Sequence, residues 1–443
     1  MAELPKLQQL TEDDASLERS PTSGEMLARA AKTTLSRAGS LFQNTRTPCY
    51  IPPSVVGNSL TALPLFCIFS SSVEFMAKKE RNFREFLNAT DYSILLSARD
   101  YISDSVRLVA FVQLTHRGTG FMIETSGGRR SVSVEEFMQA SELLQPELVV
   151  PLADEVPYSM GANRQRTAVQ TSLDWLDACL ALNTSAVPMC GVVVGGNDEK
   201  LRRMSAVETC KRDVQAVMLS GLSSCDDRAQ RLALIDAIVS EISPASLPRV
   251  VSGIGHPLDV LDAVDGGIDA FVSPFPATVT KKGSALLFWV SDDEDGSRGS
   301  EREAERQRFG SVLHLREPRF ATDFGPLLPG CGCFACQNYT RAYLHHLLNV
   351  REMLGDILLY LHNLQHYYLF FRQIRAAVDA DRFGAFHAEF ASKFDERPST
   401  APPLVIPLAI SERKRKNDAE KAAARALEVA AKHDAAIRKR PRP

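Results

Sequence analysis

The sequence predicts an α/β fold, a (β/α)8 TIM barrel, from three observations. Eight short apolar runs follow one another along the chain, most of them bounded by Gly, Pro, Ser or Asp. Stretches of helical length separate these runs, and strands that alternate with helices pair in parallel through crossover connections. A doubly wound open sheet fits the alternation too, but the number of units and their total span favour the barrel.

The candidate strands are the apolar runs, taken in chain order. They are residues 63–69, 108–114, 148–152, 191–194, 216–219, 249–252, 270–272 and 285–290. Several of the intervening stretches are amphipathic, with apolar side chains on one helical face. They predict helices at residues 134–144, 170–182, 226–242 and 257–264.

Composition divides the rest of the chain. Residues 1–34 are polar without a sustained apolar period and predict a flexible leader, so we expect the barrel body at residues 35–400. Within that body, residues 291–308 are almost all charged or small and predict an exposed insertion without a chemical role. Residues 401–443 begin with a Pro-rich hinge and continue as a basic, Ala-rich tail.

The overall composition excludes several protein classes. The chain has 443 residues, of which 44% are hydrophobic and 24% charged, so it is neither a disordered nor a fibrous polymer. Uninterrupted apolar runs long enough for a membrane span are absent, and the first 34 residues lack the apolar centre of a secretory signal. The cysteines number nine, an odd count, which predicts a reducing compartment where clustered thiols indicate a metal site or chemistry rather than disulfides.

Charge is distributed unevenly. The net charge is −3, yet residues 411–443 hold 11 Lys and Arg against 5 Asp and Glu. A basic tail on an acidic body is able to contact nucleic-acid phosphates, serve as a nuclear address or remain a solvated end. The sequence leaves these three interpretations open.

Three cysteines fall within six residues, at Cys331, Cys333 and Cys336. Three thiolates and one histidine form a closed structural Zn²⁺ site, so this spacing predicts one structural zinc ion. Unligated thiols in a tight turn are the alternative, but thiols so crowded are prone to oxidation. A helical stretch at about residues 340–377 offers four candidates for the fourth ligand: His345, His346, His362 and His366.

Familiar catalytic motifs are absent: the sequence has no Walker loop, nucleophile elbow or HExxH helix. Asp154 and Glu155 follow a candidate strand and would lie at the carboxyl edge, where barrels place their active sites. Gly195 and Gly196 follow the next strand and permit close approach of a ligand. Helix capping and a tight turn explain the two pairs equally well.

Together these motifs resemble the tRNA-guanine transglycosylases, barrel enzymes with a zinc subdomain that exchange a guanine in tRNA for a modified base. The resemblance extends over residues 37–383. The family has a C-x-C-x-x-C pattern followed after about 26 residues by a His-Asn pair, which here selects His362. It also implies a vestigial base pocket at Asp154, Gly195 and Gly196, and a zinc subdomain at about residues 310–400.

The chain departs from the family at its catalytic residues. Catalytic members carry a nucleophilic aspartate where this chain has Val272, and they continue with Pro-Thr-Arg where it has Pro276-Ala277-Thr278, so the arginine is also missing. The Asp-Ser-Gly-Gly-Phe-Gln motif with the family's general base is also absent. Because covalent catalysis needs its nucleophile, the resemblance implies the non-catalytic subunit of the eukaryotic heterodimer.

The resemblance also implies partners. The family's heterodimer inserts queuine at the wobble position of tRNAs with GUN anticodons, so we expect a catalytic subunit and tRNA to bind this chain. We expect the zinc subdomain to form the subunit contact, with Leu358, Leu361, Leu364 and Tyr368 packing on the barrel or on the partner. The family implies a cytoplasmic location, with peripheral contact with the mitochondrial outer membrane and, if the tail is an address, a nuclear fraction.

Two alternative functions remain. The chain is a self-sufficient homodimeric transglycosylase if Asp269 or Asp154 replaces the missing nucleophile. Asp269 lies three residues before Val272, an offset that turns its side chain to the other face of a strand. The other alternative is a protein that binds queuine without acting on it.

Overall fold

A computed structural model of the chain describes eight segments of it. They are residues 49–51, 60–64, 93–97, 120–125, 128–156, 158, 160–288 and 299–399. The predicted leader at 1–34, the strand at 108–114 and the tail at 401–443 lie outside the described residues. All elements named below belong to one unit, Met1–Pro398.

Twelve strands lie within the described segments. They are β1 (Cys49–Ile51), β2 (Leu60–Pro64), β3 (Ser93–Ser97), β4 (Gly120–Thr125), β5 (Gly128–Ser133), β6 (Leu148–Val150), β7 (Cys190–Val193), β8 (Ala216–Leu219), β9 (Arg249–Ser252), β10 (Ala270–Val272), β11 (Ser284–Leu286) and β12 (Val312–His314).

Eleven α-helices accompany these strands in the same described part of the chain. They are α1 (Val134–Leu144), α2 (Ala162–Leu182), α3 (Glu199–Cys210), α4 (Arg228–Val239), α5 (Pro257–Asp265), α6 (Phe275–Lys281), α7 (Gly299–Phe309), α8 (Phe334–Asn338), α9 (Arg341–Val350), α10 (Met353–Asp379) and α11 (Phe383–Lys393). Short 3-10 turns form at Leu222–Ser224 and Pro318–Phe320.

Side-chain caps explain where several helices begin. α1 starts with a capping box, in which the Ser133 hydroxyl accepts the Glu136 amide and the Glu136 carboxylate accepts the Ser133 amide. The carboxylates of Asp198 and Asp227 accept amide hydrogen bonds in the first turns of α3 and α4. In these three helices, the capping residue therefore sets the position at which the helix begins.

The strands form two parallel sheets that are joined at one edge. The larger sheet has the order β1, β10, β9, β8, β7, and the smaller has the order β2, β3, β6. A parallel bridge between Val149 and Met189 connects β6 to the residue before β7, and β1 lies beside β2. Two antiparallel pairs, β4 with β5 and β11 with β12, complete the topology. The predicted α/β class with parallel sheets is confirmed.

Alternation along the parallel strands separates two buried layers. One face of each strand contributes to a single apolar cluster that includes Leu95, Val150, Val192, Met218, Val250 and Val272. The opposite face packs against helices, as Val193, Leu219, Val251 and Phe271 do with the apolar sides of α4, α5 and α10. Val272 and Phe271 therefore point to opposite sides of the sheet.

One predicted strand was wrong in its pairing. Residues 285–290 were expected to be the last parallel strand, but β11 pairs antiparallel with β12. The run is apolar because it is covered on both sides, with Leu286, Leu287 and Phe288 each at most 1% exposed. The parallel sheets instead include β1 and β3, which the sequence analysis did not predict. β1 is too short, and β3 too uniformly buried, to show an alternating pattern of apolar and polar residues.

Two further predictions needed correction. The second half of the insertion is not an exposed loop: it forms α7, whose Glu305 pairs with the buried Arg341 and whose Phe309 is 3% exposed. The stretch at 340–377 is not one helix, because Arg351 takes a left-handed conformation with φ 63° and separates α9 from α10. None of the described helices has the length and apolarity to cross a membrane.

Candidate metal centre and strand-edge site

The thiols of Cys331, Cys333 and Cys336 surround the imidazole of His362. Their four candidate ligand atoms lie within 4.8 Å of one another. The distances from His362 Nδ1 to the three sulfur atoms, in chain order, are 3.8, 3.4 and 3.3 Å. The three cysteines are at most 9% exposed and the histidine is fully buried.

These distances fit a single tetrahedral ion. Zn–S bonds of about 2.3 Å and Zn–N bonds of about 2.0–2.1 Å place sulfur and nitrogen about 3.6 Å apart at the edge of a tetrahedron. The measured separations of 3.3 to 3.8 Å bracket that value. The donor set is soft and closed, which is the arrangement of a structural zinc site.

The electrostatics of the cluster also call for a cation. Hydrogen bonds from neighbouring thiols hold the pKa of Cys331 well below its ordinary value. Hydrogen bonds with Cys331 and Cys333, and after them burial, raise the pKa of Cys336. A dication at this position would stabilise the deprotonated form of all three buried thiols.

Local hydrogen bonds position the side chains of the candidate metal ligands. The Cys333 thiol accepts the Cys336 amide and so caps α8, which brings the last two cysteines onto one turn. His362 Nε2 donates to the carbonyl of Leu286 at 3.0 Å, which leaves Nδ1 free to bind metal. The adjacent Asn363 accepts the Leu286 amide and donates to the Ser284 carbonyl, so α10 is fastened to β11.

The other three candidate histidines are placed elsewhere. His366 donates to the carbonyl of Phe288, and burial lowers its pKa to about 3. His345 contacts the carbonyl of Leu315 at 2.6 Å, and His346 is exposed. The geometry thus brings together the four residues that the family pattern selected, whereas cysteine spacing alone left the histidine undetermined.

Asp154 lies beyond the carboxyl end of β6 and is 1% exposed. Both of its carboxylate oxygens are occupied by Arg164 of α2, at 2.6 and 2.8 Å. This hydrogen bonding raises the pKa of the arginine. Sequence reasoning missed Arg164 because a polar residue on a helix ten positions away carries no local signal.

Gly195 and Gly196 follow β7, the neighbour of β6. Gly196 has φ +60°, and a Cβ there would lie 2.5 Å from the side chain of Gln165. Its carbonyl accepts from Nε of Arg202, a fully buried arginine that also donates to the carbonyls of Val193 and Ser220. The left-handed φ and the nearby Gln165 side chain favour glycine here for reasons internal to the fold, and Arg202 is a second residue that sequence reasoning missed.

The proposed replacement nucleophile Asp269 lies at the wrong end of its strand. It precedes β10 and its carboxylate accepts the amide of Arg249 at the amino ends of β9 and β10. Val272, in contrast, ends β10 at the carboxyl edge and is completely buried in the apolar layer. Asp269 therefore lies at the opposite end of the strands from Asp154 and Gly196, which both follow strand carboxyl ends.

Two of the four α10 residues expected to pack on the barrel or on the partner pack inside this chain. Leu358 and Leu364 are 1% and 4% exposed and belong to the internal core. Four exposed apolar side chains lie close together in the sequence at the junction of α9 and α10. They are Val350, Met353, Leu354 and Ile357, with Met353 75% exposed.

Comparison with known proteins gives consistent relatives. The family model described as Queuine tRNA-ribosyltransferase matches residues 66–396. The Queuine tRNA-ribosyltransferase accessory subunit 2 of Xenopus laevis is 38% identical over 286 residues, covering 57% of this chain and 68% of the relative. Its Homo sapiens counterpart is 34% identical over 284 residues, covering 58% and 68%. The Queuine tRNA-ribosyltransferase of Psychrobacter sp. is 30% identical over 304 residues, covering 68% and 74%.

Proposed function

The chain belongs to the queuine tRNA-ribosyltransferase family, and we propose that it acts there as the non-catalytic accessory subunit. It would pair with a catalytic subunit and support exchange of guanine for queuine at the wobble position of tRNAs with GUN anticodons. Several relatives from vertebrates that are 34–38% identical to the chain carry the accessory-subunit name.

The observation that carries this proposal is the environment of Val272. It stands at the carboxyl end of a parallel strand, where catalytic members place their nucleophilic carboxylate, and its side chain is 0% exposed. A valine offers no lone pair, and covalent catalysis cannot proceed without a nucleophile. The two carboxylates considered as substitutes have other partners: Asp154 accepts hydrogen bonds from Arg164, and Asp269 accepts the Arg249 amide at the amino ends of the strands.

We extend the proposal to the architecture, as a closed (β/α)8 barrel at residues 35–400. Its support is the parallel order from β2 through β3, β6, β7, β8, β9 and β10 to β1, and the position of β1 beside β2. One apolar cluster receives the same face of these strands, as the interior of a barrel does. The zinc subdomain would be residues 310–400, and the basic tail 401–443.

We propose one structural Zn²⁺ held by Cys331, Cys333, Cys336 and His362. With all four positions filled by protein ligands, such an ion supplies a cross-link and no reactive water. The chain's own residues do the rest: Asn363 and the Leu286 carbonyl fix α10 against β11, and Cys333 caps α8. The loop that carries the cysteines is thereby joined to α10, whose first turns carry most of the exposed apolar face.

We propose that this face, formed by Val350, Met353, Leu354 and Ile357, contacts the catalytic subunit. Contiguous exposed apolar side chains mark protein interaction sites, and aromatic residues and methionines are enriched at such interfaces. The experiment is multi-angle light scattering on the chain mixed with the catalytic subunit of a relative. A one-to-one complex supports the proposal, and separate elution of the two chains at micromolar concentration contradicts it.

Contact with tRNA would come in part from the basic tail. Lys and Arg bind phosphates in a salt-dependent way, so the tail is expected to add affinity at low salt. Removing residues 411–443 from the chain and titrating tRNA into the complex tests this role. If the truncated and the full-length chain bind tRNA with the same affinity at both 50 and 200 mM salt, the tail does not contribute to tRNA binding.

A further inference from the structure

α7 buries charged side chains against the zinc subdomain, although it comes from a stretch that is almost entirely charged or small. Arg302, Glu305 and Phe309 are spaced three and four residues apart, so they lie on one face of the helix. Each of them is at least partly buried. A face with two charged residues has no apolar period, and its burial requires specific polar partners.

Arg302 holds the chain immediately before the first cysteine of the metal centre. Its Nε donates to the carbonyl of Pro329 at 3.1 Å, and its Nη2 donates to the carbonyl of Gly330 at 2.8 Å. The next residue is Cys331. Because the guanidinium is a rigid planar group, its two bonds fix the orientation of this backbone as well as its position.

A second arginine holds the start of the same segment, and α7 positions that arginine. Arg341, the first residue of α9, is 2% exposed and donates to the carbonyl of Leu327 at 3.0 Å. The same guanidinium pairs with Glu305 of α7 and with Asp323. A buried guanidinium needs such carboxylates. Glu305 therefore keeps Arg341 in place and, through it, the carbonyl of Leu327.

All four carbonyls of residues 327–330 are occupied as a result. The Leu328 carbonyl accepts the Cys331 amide at 3.2 Å, and the other three accept from Arg302 and Arg341. This segment lies outside the described helices and strands. Side chains from α7 and α9, rather than a backbone ladder, fix the chain that enters the cysteine loop.

Phe309 anchors the other end of α7. It is 3% exposed and belongs to the apolar cluster that contains the three cysteines. The centroid of its ring lies 5.4 Å from that of Phe320. The guanidinium groups of Arg319 and Arg341 lie 4.9 and 5.0 Å from the same ring centroid. α7 is thus fixed at its last residue, and its first turns contact the chain that enters the metal centre.

We propose that α7 is a latch on the metal centre, in which Arg302 and Glu305 keep the cysteine loop closed on His362 and so slow the release of zinc. The inference rests on the proposed function, since it takes the proposed zinc ion as present. A four-coordinate ion leaves only after a ligand detaches, and the loop orders together with the ion. Cys331 is the ligand next to the latch, so freeing the two carbonyls before it lets this thiolate move away.

The test is the rate at which an excess of chromophoric chelator removes zinc from the full chain. Arg302→Ala is expected to release zinc about tenfold or more faster than the wild type, because the closed loop loses two hydrogen bonds from a charged donor. Glu305→Gln keeps the shape of the side chain without its charge and is expected to change the rate in the same direction. The zinc content before chelation and the absorption spectrum of the cobalt-substituted chain should stay unchanged, since all four ligands remain.

Arg308→Ala is the matched control on the same helix. Arg308 is exposed, and its guanidinium contacts the Phe309 ring, a contact that Arg319 and Arg341 make as well. This variant is expected to release zinc at the wild-type rate. Arg302→Lys keeps the charge but replaces the planar fork by a single ammonium group, so its rate is expected to lie between those of the wild type and the alanine variant.

Two outcomes overturn the latch: release at the wild-type rate from a folded, zinc-loaded Arg302→Ala variant, or equal acceleration in Arg308→Ala. Circular dichroism and the melting temperature check folding, and Arg302→Lys provides the same test where the alanine variant does not fold. A wild type that purifies without zinc contradicts the proposed metal centre and the latch together, whereas the first two outcomes contradict the latch alone.

Discussion

The substitution Cys333→Ser tests metal binding separately from the packing around the site. Cys333 is 1% exposed, and its sulfur has two roles, since it faces His362 at 3.4 Å and accepts the Cys336 amide at 3.3 Å. Serine retains an acceptor that caps α8 but is a poor zinc ligand. The substitution therefore changes metal binding and leaves the cap in place.

The expected magnitude follows from four ligands sharing one ion. Structural zinc sites are worth about 10–16 kcal/mol at pH 7, so the loss of one ligand in four costs about 3 kcal/mol. That free energy corresponds to about 100-fold weaker zinc binding. Because the same site joins the cysteine loop to α10, we expect the thermal transition of the zinc subdomain to fall as well.

The assay is zinc content by mass spectrometry after dialysis, followed by competition with a chromophoric chelator. Cys210→Ser is the matched control, because Cys210 is a partly buried thiol at the end of α3, outside the cluster. The wild type and the control are expected to retain one zinc per chain. Zinc retained by Cys333→Ser with unchanged affinity, or a wild type that purifies without zinc, would refute the reasoning.

Three other substitutions test separate parts of the structure. Ile357→Asp, on the exposed face beside Met353, should abolish the heterodimer in light scattering without changing the melting temperature, whereas Met204→Asp, equally exposed at 46% on α3, should leave it intact. Asn363→Leu removes the bonds to the amide and carbonyl groups of β11 and should cost about 2–5 kcal/mol in urea unfolding; an unchanged midpoint argues against that link. Val272→Asp buries a carboxylate in an apolar layer and should destabilise by about 3–5 kcal/mol, and a native midpoint would show that the site is polar or wet.

Several helices and strands could be predicted from the sequence, because the period of their apolar residues matches the faces that they bury in the fold. The prediction at 134–144 coincides with α1, and those at 216–219, 249–252 and 270–272 coincide with β8, β9 and β10. In each case burial on one face or on both produces the apolar period that the sequence shows. Residues 285–290 are the exception. This run is equally apolar because α10 covers it, but it does not pair within the parallel sheets.

The metal centre was predictable to three ligands, and the resemblance supplied the fourth. Spacing identifies thiols that share one turn, but the imidazole comes from a helix whose distance is set by tertiary packing, so His362 could not be separated from His366 by spacing alone. Both imidazoles are buried and donate from Nε2 to a carbonyl, and the structure distinguishes them because Nδ1 of His362 lies 3.3 to 3.8 Å from the three cysteine sulfur atoms, whereas His366 is not part of that cluster. The pairing of Asp154 with Arg164 was invisible for the same reason, because no local period reports a contact between a loop and the next helix.

The central claim is that this chain contributes assembly and tRNA placement while its partner supplies the nucleophile. Its most direct test is incorporation of labelled queuine into a GUN-anticodon tRNA by the chain alone, by the catalytic subunit alone and by both at equal concentration. We predict turnover in the mixture, little or none with the catalytic subunit alone, and none with this chain. Turnover by this chain alone would contradict the claim and would mean that a carboxylate other than one at the position of Val272 performs the attack.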